Sequence, residues 1–84
     1  MFNINNIRKD FPVLSKKLNG KPIVYFDSAC MSLRPMQVID AIDSYYKEFP
    51  ACAGRSLHKL GKKVTEEVDN SRNTNQKFIN SKKP

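Results

Sequence analysis

The side chains that could do chemistry in this chain are two thiols, one imidazole, one well-placed guanidinium and a set of lysines. Cys30 follows Asp27-Ser28-Ala29, in a stretch where Ala29, Cys30 and Ser32 are all small, so another group can approach the backbone closely. A thiolate there would be a nucleophile, and Cys52 is the only other thiol available to it. Neither cysteine has an activating base nearby in sequence, and they do not form a Cys-x-x-Cys pair. One histidine with two cysteines matches no familiar metal-ligand spacing, so both are expected to be free structural thiols and no metal site is expected. Arg55 presents a planar fork of donors suited to a carboxylate or phosphate; its plainer reading is a surface arginine leading into a helix. His58, the only histidine, falls near a predicted helix N-terminus, where the dipole disfavours imidazolium, and a capping or structural role is expected. Lys59, Lys62 and Lys63 sit on or beside a predicted exposed helix face. They lack the desolvated pocket that lowers a lysine's pKa for covalent chemistry.

Four elements must position these groups. Residues 4–10 read as a short helix, capped by Asn5 or Asn6 and ended by Phe11-Pro12, because the residue before proline avoids the α region. Residues 13–20 read as a loop with an Asn19-Gly20 turn. Residues 22–26 read as a strand: Ile23 to Phe26 is β-branched and aromatic, and Asp27 and Ser28 end it because each would need buried partners. A helix follows over 35–48, with Pro35 at its first position and Pro50 beyond its end. Val38, Ile39, Ala41, Ile42, Tyr45, Tyr46 and Phe49 form one apolar stripe on it, expected as core. A longer helix is predicted over 57–80, with Leu57, Leu60, Val64, Val68, Ser71, Asn75 and Ile79 on its inner stripe. A buried amide without partners costs about 1–3 kcal/mol. Asn75 therefore either finds a partner or marks an end of the helix that is not buried. The order strand, small-residue loop, helix start is one that lines a ligand pocket or turns a corner.

With 84 residues the chain makes one small domain at most, burying roughly 60% of its unfolded surface. From these residues no secretory leader, membrane-spanning run or disulfide framework is expected. The expected setting is therefore soluble, reducing and cytoplasmic. The net charge of +7 comes from scattered pairs such as Arg8-Lys9, Lys16-Lys17, Lys62-Lys63 and Lys82-Lys83. These read as solvated faces of an incomplete chain whose acidic partners lie elsewhere. No nucleic-acid motif accompanies them, so nucleic-acid binding is not expected.

The exact residues carry a resemblance. Val24-Tyr25-Phe26-Asp27-Ser28-Ala29, followed by Arg34-Pro35 and Gln37-Val38-Ile39-Asp40-Ala41, resembles the N-terminal region of cysteine desulfurases, pyridoxal-phosphate enzymes of the class-V aminotransferase group. Ile7-Arg8-Lys9-Asp10-Phe11-Pro12-Val13-Leu14, with Asn19-Gly20-Lys21-Pro22 after it, is similar to the lead-in of those enzymes. Arg55-Ser56-Leu57-His58 is similar to their Arg-Gly-x-His segment, and Val68 to Asn80 to the helix that follows it. The resemblance covers nearly the whole chain. Departures are Gly54 in place of a histidine, Ser56 in place of a glycine, Cys30 and Met31 in place of smaller or hydroxylic residues, and Asn75 in place of an apolar one.

The resemblance implies an α/β fold, of which this chain is a fragment of a fold-type I enzyme. Residues 1–34 would be the small-domain lead-in and strand-loop, 35–56 the linking helix and loop, 57–80 the first long helix of the large domain, and 81–84 a truncated linker. It implies substrate-pocket roles for Ala29, Cys30, Arg55 and His58, with no catalytic or cofactor-binding residue in this stretch. The intact enzyme would convert L-cysteine to alanine and persulfide sulfur for iron–sulfur cluster assembly, using pyridoxal 5′-phosphate as a homodimer. In that family the Schiff-base lysine and the catalytic cysteine lie downstream, so this chain alone is expected to bind no cofactor and be inactive. The alternatives are a non-catalytic truncated protein or interaction module pairing with a complementary fragment and, on charge alone, a basic nucleic-acid-binding peptide.

Overall fold

The computed structural model describes residues 2–55 and 57–84. In chain order it contains helix α1 (Ile4–Lys9), a single 3-10 turn (Pro12–Ser15), strands β1 (Lys17–Leu18) and β2 (Lys21–Pro22), helix α2 (Met36–Glu48) and helix α3 (Lys59–Ile79). The chain divides into two compact units, Met1–Ile42 and Asp43–Pro84, so α2 contributes residues to each. The α/β expectation is met only coarsely. The described residues form a small helical fragment with one two-stranded antiparallel sheet, and no parallel sheet is found among them.

In the first unit, α1 is capped by Asn3 rather than by Asn5 or Asn6. A capping residue must sit outside the helix with extended backbone, as Asn3 does (φ −120°, ψ 106°). Its Oδ1 accepts from the Asn5 and Asn6 N–H groups at 3.0 and 3.3 Å, so the two predicted caps are the donors. The helix stops at Lys9 with Asp10 as its C-cap, just ahead of Phe11-Pro12. The predicted loop over 13–20 is more ordered than expected. After the 3-10 turn the chain folds into a hairpin pairing Lys17 with Pro22 and Leu18 with Lys21. Asn19 (φ 53°) and Gly20 (φ 75°) are both left-handed, the combination a type I′ two-residue turn demands.

The strand predicted over 22–26 is not formed. The ladder ends at Pro22. Beyond it Ile23 and Tyr25 are half-buried, while Val24 (76% exposed) and Phe26 (94%) face out. That alternation has the period of a strand, but no second strand among the described residues pairs with it. β-Branched and aromatic residues favour a pleated, half-buried surface, and only a neighbour with free backbone groups makes it a ladder.

α2 begins at Met36 rather than Pro35, because Pro35 serves as its cap: the Val38 and Ile39 N–H groups donate to the Pro35 carbonyl at 3.0 and 3.3 Å. The apolar stripe predicted as core is largely uncovered. Val38, Ile39, Ile42 and Tyr46 are exposed, and only Tyr45 and Phe49 are half-buried. Periodicity selects which face is apolar; burying that face needs a second surface to lie against it.

The second unit is organised by the end of α2. The Tyr45 ring meets Phe49 edge-on at 5.8 Å and its hydroxyl donates to the Ala51 carbonyl at 2.9 Å. Lys63 Nζ of α3 lies 5.7 Å from the centre of the Phe49 ring. α3 starts at Lys59, two residues later than predicted, because His58 takes the N-cap position; Leu57 is left outside the helix and exposed. Its buried residues are Gly61 and Val64, three apart on one face, and Val64 is the sole buried apolar side chain among the described residues. Asn75 is exposed, so its amide needs no protein partner. At 1.5 Å per residue α3 is about 30 Å long. It ends with left-handed Asn80 (φ 57°), the Asn80 and Ser81 N–H groups donating to the Lys77 and Gln76 carbonyls at 3.3 and 3.0 Å. No described helix is long and apolar enough to cross a membrane.

Candidate functional site

The four candidate residues fall in two places. Ala29 and Cys30 lie in the first unit, on the turn that leaves Tyr25. The Asp27 carbonyl accepts from the Cys30 and Met31 N–H groups at 3.0 and 3.1 Å, folding Asp27 to Met31 back on itself. The Tyr25 hydroxyl closes this turn from below, bonded to the Met31 carbonyl and 3.2 Å from that of Asp27. Arg34 Nη1 donates to the Ser32 carbonyl at 2.6 Å, and the Met36 N–H donates to the Asp10 carbonyl at 2.7 Å. The last bond ties the start of α2 to the end of α1 and so closes the loop's far end. Ala29 and Cys30 are exposed at the turn. Next to them a shallow concavity of about 340 Å³ is lined by Arg8, Phe11, Tyr25, Ser28 and Ser32 among others; neither Ala29 nor Cys30 lines it. In the sequence Arg8 read as half of a charge pair and as part of the lead-in that carries the resemblance, not as a site residue. Its place beside Ser28 and Ser32 comes from the fold.

Removing the Tyr25 hydroxyl tests this clasp. Tyr25→Phe is expected to loosen the turn by about 1 kcal/mol, the net worth of one hydrogen bond. Amide exchange at Cys30 and Met31 should then quicken by about fivefold. Unchanged exchange would mean that the Asp27 carbonyl holds the turn alone.

Arg55 and His58 lie in the second unit. Gly54, just before Arg55, is left-handed (φ 72°), and its N–H donates to Thr65 Oγ1 at 3.0 Å. The Thr65 hydroxyl donates in turn to the Gly61 carbonyl at 3.0 Å. The Gly61 N–H donates to Nδ1 of His58 at 3.2 Å, which is the expected capping role. Accepting through Nδ1 places the ring proton on Nε2. Arg55 is exposed and takes no part in the two ion pairs found among the described residues. Ser56, the departure within the Arg55–His58 segment, lies outside the described residues. A concavity of about 350 Å³ is framed by Gly54, Leu57, Lys62, Thr65 and Glu66. Thr65 drew no attention in the sequence. A threonine bonding the carbonyl four residues back is a local habit of helices, but nothing in the sequence signals its second bond, eleven residues upstream.

The residues present do not fit a pyridoxal-phosphate anchor. A Schiff-base lysine must be able to shed its proton in a desolvated pocket. Every lysine among the described residues is exposed. Lys63 goes the other way: its hydrogen bond to Glu67 Oε1 at 2.8 Å, together with that carboxylate's charge, raises its pKa above the ordinary lysine value. Cys30 and Cys52 are free and exposed. Among the described residues no group of three or more histidine, cysteine and acidic side chains is placed to hold a metal ion.

Comparison with known proteins identifies the wider context. Residues 24–84 match the family model for aminotransferase class-V. The chain is 42% identical over 81 residues to a probable cysteine desulfurase of Staphylococcus aureus strain Mu50, which covers 96% of this chain and 20% of that protein. It is 41% identical over 81 residues to the protein of that name from Staphylococcus aureus strain COL, and 40% identical to one from Staphylococcus epidermidis, with the same coverage of each. The chain thus spans about a fifth of the length of the curated relatives it matches. With the Asp27–Met31 turn, α2, the Gly54–His58 segment and α3 all inside the matched region, the chain belongs to the aminotransferase class-V family.

Proposed function

We propose that this chain is the N-terminal segment of a pyridoxal-phosphate-dependent cysteine desulfurase and supplies part of its substrate pocket. Residues 1–34 form the small-domain lead-in, 35–56 the linking helix and loop, 57–80 the first long helix of the large domain, and 81–84 the start of a linker. In the intact fold-type I enzyme, working as a cytoplasmic homodimer, the Cβ–S bond of L-cysteine breaks. The sulfur passes to a protein thiol as a persulfide destined for iron–sulfur assembly, and Cβ takes a proton, giving alanine. The cofactor supplies the electron sink for that cleavage, and its anchoring residues come from outside this segment. Arg55 holds the substrate carboxylate through its fork of donors, and His58 offers Nε2–H. Ala29 and Cys30 present a wall of small side chains.

The observation that carries this reading is the exposed Arg55, outside both ion pairs found among the described residues and beside a hydrogen-bonded turn, in a chain 42% identical to a probable cysteine desulfurase. The uncovered apolar stripe of α2 fits the same picture, since it needs a second surface. The polypeptide encoded in the native reading frame, purified with pyridoxal phosphate and given L-cysteine and a reducing thiol, is expected to release alanine and sulfide in equal amounts. Sulfide without alanine, or neither product, would overturn the assignment.

A further inference from the structure

We infer that Thr65 is the positioning residue of the Arg55–His58 site. One hydroxyl group makes two bonds of different reach. As a donor it bonds the Gly61 carbonyl four residues back along α3; as an acceptor it takes the Gly54 N–H from the turn that carries Arg55. Gly61 then uses its own N–H to hold Nδ1 of His58. Residues 54 and 58 are thereby both tied to the start of α3, Gly54 through the Thr65 hydroxyl and His58 through the N–H of buried Gly61. Two consequences follow. The left-handed turn at Gly54 is held rather than free, so the guanidinium of Arg55 leaves from a fixed backbone point. A Cβ at Gly54 would meet nothing within 4 Å, so the left-handed backbone itself, not crowding, makes glycine suitable there. With Nδ1 of His58 taken by the Gly61 N–H, Nε2 is the ring nitrogen left to face a ligand as a hydrogen-bond donor.

Thr65 touches no reacting group; it acts through the turn. An oxygen that only satisfied its own helix would leave the Gly54 N–H to water. The role assigned to it rests on the reading of Arg55 as the carboxylate-binding residue, and the test separates the two.

Thr65→Val keeps the β-branched shape and removes both hydrogen bonds, whereas Thr65→Ser keeps the hydroxyl. In the desulfurase that carries this segment, Thr65→Val is expected to raise KM for L-cysteine by about fivefold, the equivalent of one lost positioning hydrogen bond, with kcat nearly unchanged. Thr65→Ser should restore KM, and Thr65→Val added to Arg55→Ala should change nothing further. If Arg55→Ala raises KM but Thr65→Val does not, the positioning role is overturned while the reading of Arg55 stands. If Arg55→Ala leaves KM unmoved, or the polypeptide has no desulfurase activity, that reading falls instead. The clamp is then decided by amide exchange at Gly54, expected to quicken by about tenfold in Thr65→Val and to return to the native rate in Thr65→Ser. Equal exchange in the native chain and Thr65→Val, including exchange already at the unprotected rate, overturns the inference.

Discussion

Arg55→Ala is expected to lower kcat/KM for L-cysteine by about 10- to 150-fold, most of it in KM. A charge-assisted, bidentate guanidinium–carboxylate contact contributes about 1.5–3 kcal/mol, which sets that range. Arg55 is free to make such a contact: it is exposed and joins neither ion pair found among the described residues. Arg55→Lys should recover only part of the loss, because a point charge lacks the fork that engages both carboxylate oxygens. Binding of cysteamine, which has the thiol and amine but no carboxylate, should be indifferent to the change. A loss of less than twofold in kcat/KM for Arg55→Ala would return Arg55 to the role of a helix-leading surface residue.

Val64→Asp should be the most damaging single change to stability. Val64 (8% exposed) is the sole buried apolar side chain among the described residues and shares its face of α3 with buried Gly61. Trimming it to alanine removes roughly two methylene equivalents, about 1.6 kcal/mol. An unpaired carboxylate at the same place adds a desolvation cost and should bring the total to about 3 kcal/mol or more. The urea midpoint of the full polypeptide should fall accordingly, in the order native, Val64→Ala, Val64→Asp. The sign of the pH dependence is distinctive. Burial raises the introduced carboxyl's pKa in the folded state, so the penalty is full above that value and shrinks as the pH falls through it. A Val64→Asp variant no less stable than Val64→Ala would show that the position is not core.

The candidate site was legible in the sequence where chemistry is local. His58 could be placed at the head of α3 because a lone imidazole ahead of a helical pattern is suited to a cap, and its Nδ1 does accept from Gly61. Asn19-Gly20 announced a turn, because both residues tolerate the left-handed region, though not the hairpin it closes. What stayed hidden depends on groups distant in sequence. The Gly54–Thr65 bond spans eleven residues and has no periodic signature. The concavity beside Ser28 needs Arg8 and Phe11 brought to it by the folding of the first unit.

By itself, the sequence determined the family, the two long helices to within two residues of their ends, the Asn19-Gly20 turn and the cap at His58. All of these follow from propensities and hydrogen bonds acting within a few residues, or from an extended run of matched residues. Only the tertiary structure decided that Ile23 to Phe26 lacks a ladder, that the stripe of α2 is left uncovered, and that Thr65 ties the Arg55 turn to α3. Strand pairing, burial and long-range hydrogen bonds each need a second surface, and a pattern of residue types along one chain does not say whether that surface is there.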